Sequence, residues 1–381
     1  MLSNSILDFA DSQRDAMLQL LREFVDCETP SHDKTALDSF NSYLAEILLQ
    51  YGLVSEKIVN AEGGDHLLIR GSFCNVDEDA PRALILGHFD TVWPKGTKRT
   101  RPFEVRGDRA FGPGTYDMKA GIVIILFGIF TAATAQNRKR NVDVLLTSDE
   151  EIGSPTSRAL IESLAKDSAY VLVLEPPLAD GSLKTARKGV GGYQIEVEGK
   201  SAHAGIEPEK GANAIVELSY QIRELQRLCD PKSGTTLNVG TIEGGTTPNV
   251  VPAYASCRVD VRASTQAEVR RIDAAIRGLT PIGTGTTLKI NGGFNRPPME
   301  RTPEIASLFH RAREIGLTLG MELTEGSTGG GSDGNFTAAL GIPTLDGLGA
   351  RGGGAHAENE YILIDSLSEQ AALLAALLIN L

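Results

Sequence analysis

The sequence predicts an α/β fold, with a mostly parallel sheet flanked by helices and an inserted α+β domain built on four strands. Three observations predict it. Over residues 1–187, apolar runs of strand length alternate with helical patterns. Several of those runs stop at a histidine or at carboxylates, as happens at the end of an open α/β sheet where chemistry collects. From 188 to 296 the texture changes to period-two alternation in the order β-α-β-β-α-β, which reads as a ferredoxin-like insert. Residues 297–381 return to the first pattern. At 381 residues the chain is long for one core, so two domains are expected, the larger made from both chain ends.

Taken in order, Met17, Leu18, Leu20, Leu21 and Phe24 mark an amphipathic helix over Ser12–Phe24. Thr29-Pro30-Ser31-His32-Asp33 breaks it, and His32 reads as a loop residue. A helix over Lys34–Gln50 and strands at Val54–Ile58 and Leu67–Ile69 follow, with His66 in a polar turn and without a role. Ala83–Leu86 is a buried strand ending in Gly87, His88 and Asp90. Two loops, Val92–Thr97 and Phe111–Gly121, lead into an apolar helix over Ile122–Ala135. Strands Val142–Thr147 and Tyr170–Leu174 end in Ser148-Asp149-Glu150-Glu151 and in Glu175. The insert carries a strand near Tyr193–Gly199, a helix over Ala212–Leu228, strands Thr235–Gly240 and Ala255–Arg262, a helix over Gln266–Gly278 and a strand Thr287–Ile290. The last part holds a helix over Thr302–Gly316 with Pro303 at its first turn, a strand Gly341–Leu345 and a helix over Asp365–Asn380.

Composition bounds the function. Hydrophobic content of 41% and charged content of 23% describe an ordinary globular protein. A net charge of -12 argues against binding a phosphate backbone, so no nucleic-acid partner is expected. Cys27, Cys74, Cys229 and Cys257 are scattered without a CxxC pair, which fits reduced thiols. The first residues show no basic start followed by an apolar core, so a cytoplasmic location is expected. The uncharged stretch from Ala120 to Asn137 borders on membrane-spanning length, but its Thr, Gln and Asn content favours a buried helix, and no membrane partner is expected.

The chemistry lies at the strand ends. A neutral imidazole at His88 can bind a transition metal, and Asp90 can hold its other ring nitrogen. Three acids at 149–151 suit either a solvated helix N-terminus or a bound cation. Asp117, in a glycine-rich loop before a helix, is either an N-cap or a ligand. His356, between small residues, is either a surface residue or a ligand. Asp346 with its following glycines is a weaker candidate cluster. Together, two histidines and three carboxylates in loops that can meet at one sheet edge suit zinc, cobalt or manganese in a hydrolytic site. Five ligands with one bridging carboxylate suit a metal pair about 3.5–4 Å apart, with a further acid left as general base.

These residues resemble a known family. The motifs are Gly87-His88-Phe89-Asp90-Thr91-Val92, Gly114–Gly121, Asp149–Ser154, Gly199-Lys200-Ser201-Ala202-His203-Ala204-Gly205 and Ala355-His356. Over nearly the whole chain they are similar to the co-catalytic dizinc peptidases and deacylases. That family includes glutamate carboxypeptidase of the carboxypeptidase G type, acetylornithine deacetylase, succinyl-diaminopimelate desuccinylase and aminoacylase. The resemblance implies two zinc ions per subunit. His88, Asp117 and Glu175 would hold one, and Asp117, Glu151 and His356 the other. Asp117 would bridge and precede a cis peptide to Met118, Asp90 would orient His88, and Glu150 would be the general base.

The resemblance further implies that the insert is a lid and dimerisation domain, and that His203 stabilises the oxyanion in the site of a second copy in a homodimer. Asn249 and the backbone around Gly330 match substrate-binding positions. Arg296 is the candidate for the substrate carboxylate, with Arg262 as competitor. Glu at position 175 and the Ser327–Asp333 stretch look most like the glutamate carboxypeptidases. The implied activity is cleavage of an amide bond to a C-terminal amino acid, glutamate foremost, by a metal-bridging hydroxide. A small-acyl deacylase is the alternative. A silent binding protein on the same scaffold would need a lost ligand or base, and none is lost.

Overall fold

The computed structural model describes residues 2–71, 82–133 and 141–381. Cys74 and the expected helix end at Ala135 lie outside the described residues. Helices α1 (Leu2–Ser12), α2 (Arg14–Asp26) and α3 (Lys34–Gln50) precede strands β1 (Ser55–Ile58), β2 (His66–Gly71) and β3 (Arg82–His88). Then come β4 (Glu104–Arg106), β5 (Arg109–Phe111), α4 (Ala120–Ala133), β6 (Val142–Thr147), α5 (Arg158–Lys166), β7 (Ser168–Val173) and β8 (Leu183–Arg187). The insert contributes β9 (Gly189–Glu198), α6 (Ala214–Arg227), β10 (Thr236–Gly244), β11 (Tyr254–Ala263), α7 (Gln266–Arg277) and β12 (Thr287–Arg296). The chain closes with α8 (Pro303–Thr318), β13 (Glu325–Thr328), α9 (Gly334–Ala339), β14 (Thr344–Asp346), β15 (Gly352–Gly353), β16 (Tyr361–Leu363) and α10 (Asp365–Asn380).

The chain divides into two compact units. The first comprises 1–186, 301–328 and 332–381; the second comprises 187–300 and 329–331. The first is an α/β layer structure on an eight-stranded sheet in the order β1-β2-β6-β3-β7-β14-β8-β13. Its middle strands β6, β3, β7 and β14 run parallel, while β2 on one side and β8 on the other are antiparallel. Strand β3 is apolar from Ala83 to Leu86 because both of its faces are covered. Ala83 and Ile85 join the core containing α4 and α10, while Leu84 and Leu86 join the core containing Ile161, Leu164 and Phe336. Helix α4 is buried on nearly every side, so the long apolar stretch is a core helix.

One glycine fixes how closely α4 approaches the sheet. A Cβ on Gly121 would lie 2.4 Å from Leu174 O, just before Glu175, and 2.6 Å from Met118 Cε. The first turn of α4 thus sits directly against the strand end.

The second unit is a four-stranded antiparallel sheet in the order β10-β11-β9-β12, the ferredoxin-like arrangement. Tyr193, Ile195 and Val197 of β9 alternate inward and pack with Leu218 and Leu225 of α6 and Ile272 and Ile276 of α7.

Several sequence expectations change. The first helical pattern begins at Arg14 and is preceded by α1, of which Ile6 and Ala10 are buried. A third sheet, β15-β16-β5-β4, has strands of two or three residues, too short for a readable period. Strand β12 runs on to Arg296, well past Ile290, because its pairing with β9 continues through Gly292 and Gly293. His66 is not in a turn: it opens β2 and is buried.

Candidate metal centre

Strand β3 delivers His88 to the carboxyl edge of the sheet, buried. Its Nδ1 lies 3.0 Å from Asp90 O and 3.3 Å from Asp90 Oδ1. With Nδ1 as the donor, the lone pair falls on Nε2, which faces Asp117 Oδ1 and Glu175 Oε1, each 3.3 Å away. Glu175 stands just beyond the adjacent parallel strand β7, so neighbouring strand ends bring the two together.

Asp117 sits in an irregular turn over Thr115–Lys119, and its bond to Met118 is cis, as the family resemblance implies. It is not the N-cap of α4. Its Oδ1 faces His88, and its Oδ2 lies 3.4 Å from Nε2 of His356. His356 also lies 3.1 Å from Glu151 Oε2. Its φ is 60°, a left-handed conformation uncommon outside glycine, in the loop before β16. Thus each oxygen of one carboxylate addresses a different imidazole.

Glu150 and Glu151 lie on a short 3₁₀ turn after β6. Their backbone N–H groups donate to Asp90 Oδ1 and Oδ2 at 3.1 and 3.2 Å, and Ser31 Oγ donates to Oδ2 at 2.7 Å. Asp90 therefore holds both His88 and the turn bearing the two glutamates. Ligand atoms of His88, Asp117 and Glu151 lie within 4.8 Å of one another, as do those of His88, Glu150 and Glu175.

The donor set fits a cation. Nε2 of His88, Oδ1 of Asp117 and Oε1 of Glu151 are buried without a hydrogen-bond partner, an arrangement that native proteins keep for a purpose. Burial pushes the Glu151 carboxyl up to about 7. Asp117 and Glu151 raise His356 to about 10. Burial disfavours charge on His88 and Asp117, yet their contacts outweigh it: His88 is raised by Asp117, Asp90 and Glu175, and Asp117 is lowered by His356 and His88. The carboxylates thus favour positive charge on both imidazoles. Nitrogen and oxygen donors without thiolate suit zinc, cobalt or manganese.

Three residues have supporting roles that the sequence did not assign. Asp149, first of the acid run, accepts from Thr156 N and Oγ1 and from Ser157 N and Oγ at 2.6–3.1 Å, so it anchors the turn from behind. His66 accepts from Ser148 N at 3.3 Å through Nδ1, which assigns the proton to Nε2, 3.1 Å from Thr156 Oγ1. Burial lowers this histidine, so the neutral ring fits. Glu360, in the same loop as His356, accepts from Gly114 N, Tyr116 N and Asp117 N at 2.8–3.0 Å. The signals were faint: an acid beside better candidates, a histidine before a strand, an acid in a loop. Asp346 is also buried, but it accepts from Ser332 Oγ and Gly347 N and belongs to neither ligand grouping.

The remaining candidates belong to the second unit. Arg187 donates to Gly330 O and Gly331 O at 3.2 and 3.0 Å, and a Cβ on Gly331 would lie 2.8 Å from Arg296 Cδ. Arg187 and Arg296 are each 4% exposed, and the sequence reading did not single out Arg187. Arg262 makes a two-pronged pair with Asp260, both contacts 2.8 Å. His203 and Asn249 are exposed on adjoining turns, joined by Ala204 N donating to Asn249 O at 3.0 Å. His203 Nδ1 accepts from Gly205 N.

Carboxylates gathered with the buried His88 and the exposed His356 at the carboxyl edge of an α/β sheet define a metal-dependent hydrolase. Residues 84–380 match Peptidase family M20/M25/M40; the chain belongs to this family and is a metallopeptidase. It is 30% identical to carboxypeptidase G2 of Pseudomonas sp. (strain RS-16), over 99% of this chain and 92% of that protein. It is 26% identical to a succinyl-diaminopimelate desuccinylase of Psychrobacter sp. (strain PRwf-1), over 97% and 96%. Its fold is similar to that of aminopeptidase PepT from Bacillus cereus ATCC 10987, with a TM-score of 0.79, 21% identity, and 96% and 98% of the two chains covered.

Proposed function

We propose that the protein is a dizinc exopeptidase that hydrolyses the amide bond to a C-terminal amino acid, with glutamate preferred. The observation that carries the metal pair is Asp117, whose two oxygens lie 3.3 and 3.4 Å from the Nε2 atoms of His88 and His356. His88, Asp117 and Glu175 would hold one ion; Asp117, Glu151 and His356 would hold the other. Two divalent ions there would supply Lewis-acid polarisation of the scissile carbonyl and of a water molecule.

The chain's own groups do the rest. Asp90 keeps the His88 proton on Nδ1 and leaves Nε2 as a donor atom. Glu150, its backbone fixed by Asp90, accepts the water proton and returns it to the leaving amine. Its carboxylate also lies within ligand range of His88 and Glu175, so distance alone leaves it free to be base or ligand. The base role is testable directly: Glu150→Gln should abolish turnover while metal content stays at the wild-type value. Near-normal turnover would refute that role.

Glutamate preference rests on the 30% identity to carboxypeptidase G2 and on Arg296 as the group for the substrate carboxylate. Arg262 is the competing candidate, and its guanidinium pairs with Asp260 at 2.8 Å. Asn249 would bind substrate, and His203 would act in a homodimer, where it serves the site of a second copy; a fully active monomer would overturn the role of His203. Chelator-sensitive release of glutamate from N-acyl and peptidyl glutamates, exceeding release of other amino acids, would support the reading. The 26% identity to the desuccinylase favours a second reading, and turnover of acetyl- or succinyl-amines alone would establish it.

A further inference from the structure

Glu360 is a buried carboxylate to which the mechanism assigns no task. Its oxygens divide four donors evenly. Oε1 accepts from Tyr116 N at 2.8 Å and Asp117 N at 3.0 Å. Oε2 accepts from Gly114 N at 2.8 Å and from the indole Nε1 of Trp93 at 2.8 Å. The loop that carries Glu360 also carries His356, and Ala357 O accepts from Glu360 N at 3.1 Å. One side chain therefore ties the Asp117 turn to the His356 loop and reaches the Trp93 loop. Trp93 is the only tryptophan in the chain, and the Arg101 guanidinium stacks 3.9 Å above it.

We propose that Glu360 is a positioning residue for metal binding: it sets the spacing of Asp117 and His356 and couples the Trp93 loop to occupancy of their site. This rests on the metal-pair reading above. The four-donor geometry makes Glu360 hard to replace. Glutamine has the same shape, but in either orientation its NH₂ meets two N–H donors. Supporting groups of this kind typically contribute about 10- to 100-fold to metal affinity.

The test titrates Co²⁺, and separately Zn²⁺, into metal-free wild-type protein and Glu360→Gln, reading cobalt absorption and Trp93 fluorescence. The expected result is that metal shifts Trp93 emission in the wild type, and that Glu360→Gln binds one equivalent about 10- to 100-fold more weakly with no linked change in emission. A folded Glu360→Gln, judged by circular dichroism, that binds both equivalents with wild-type affinity overturns the proposal and leaves the metal pair intact. If that variant does not fold, the wild type decides: emission unmoved by bound metal overturns the coupling. Wild type that binds neither Co²⁺ nor Zn²⁺ overturns the metal-pair reading, and this proposal with it.

Discussion

Gly121→Ala adds one methyl group at the place where helix α4 meets the proposed centre. The new Cβ would lie 2.4 Å from Leu174 O, about 1 Å short of the 3.4 Å at which ordinary contact begins. The obstacle is backbone, so it cannot rotate away. Two effects compete for stability. Alanine in a helix gains up to about 1 kcal/mol over glycine, and overpacking costs about 1–3 kcal/mol. The net is a loss of about 0–3 kcal/mol, or several degrees in Tm at about 2–4 °C per kcal/mol. Activity should suffer far more. Leu174 precedes Glu175, and Met118, whose Cε lies 2.6 Å from the new atom, follows Asp117. A displacement of about 1 Å at two proposed ligands should lower kcat/KM about 100-fold. Gly128→Ala, about two turns further along α4, is the control: the three atoms nearest its Cβ would all be side-chain atoms of Leu374, the first at 2.7 Å. The assay is thermal unfolding alongside kcat/KM and bound metal for both variants. Gly121→Ala with activity within threefold of wild type, or losing no more than Gly128→Ala, would refute the claim that this contact sets ligand geometry.

Other predictions rest on separate parts of the molecule. Chelation should lower Tm and added zinc should restore it, because an ion present at 100 times its Kd stabilises by about 2.7 kcal/mol; an unchanged Tm would count against the metal pair. Arg296→Lys keeps the charge but loses the planar fork, so kcat/KM for glutamate-terminated substrates should fall about 10- to 100-fold, the worth of one charge-assisted hydrogen bond of about 1.5–3 kcal/mol. Arg262→Lys should change it less than threefold, and the reverse order would exchange their roles. In the second unit, Glu217 is buried; burial pulls its carboxyl up, but Ile282 N, Gln221 and Gly283 N donate to it and hold it below its ordinary value. A lowered carboxylate contributes stability above its unfolded pKa, about 4.3, that disappears as pH falls through its folded value. Glu217→Gln should therefore flatten the loss of stability below about pH 4.3, measured by denaturant unfolding at stepped pH; an unaltered slope would refute it.

What could be read from sequence follows a physical division. Continuous apolar runs such as Leu84-Ile85-Leu86 and Val144-Leu145-Leu146 exposed the parallel strands, because burial on both faces leaves no polar positions. Helices Lys34–Gln50 and Asp365–Asn380 were readable because each carries a long apolar pattern. His88, Asp117 and His356 each had a bland alternative in the sequence, and the family resemblance grouped them; the structure brings the three side chains together. Where tertiary context decides, the sequence was silent. Gly334–Ala339 is a helix inside a glycine-rich tract, and β4, β5 and β16 are three-residue strands held by their pairing with one another.

The backbone contacts of the anchoring acids were hidden for a more general reason, even where the acid itself, Asp90, was a candidate. Asp90 receives the N–H groups of Glu150 and Glu151, Asp149 those of Thr156 and Ser157, and Glu360 those of Gly114, Tyr116 and Asp117. Every residue except proline carries that donor, so the partner leaves no mark in the sequence. For Glu360 the separation is 243 to 246 positions, beyond any local pattern. Yet these acids make the proposed ligand set possible. Loops at a sheet edge have low intrinsic order, and several carboxylates brought together repel. A buried acceptor that collects several backbone N–H groups fixes a loop and lets the dipoles of those groups offset its charge. The acids of the centre therefore share two tasks: some hold backbone, others have oxygens facing imidazole, and Asp90 does both. The second task is recognisable by residue type, and the first decides whether those oxygens can meet.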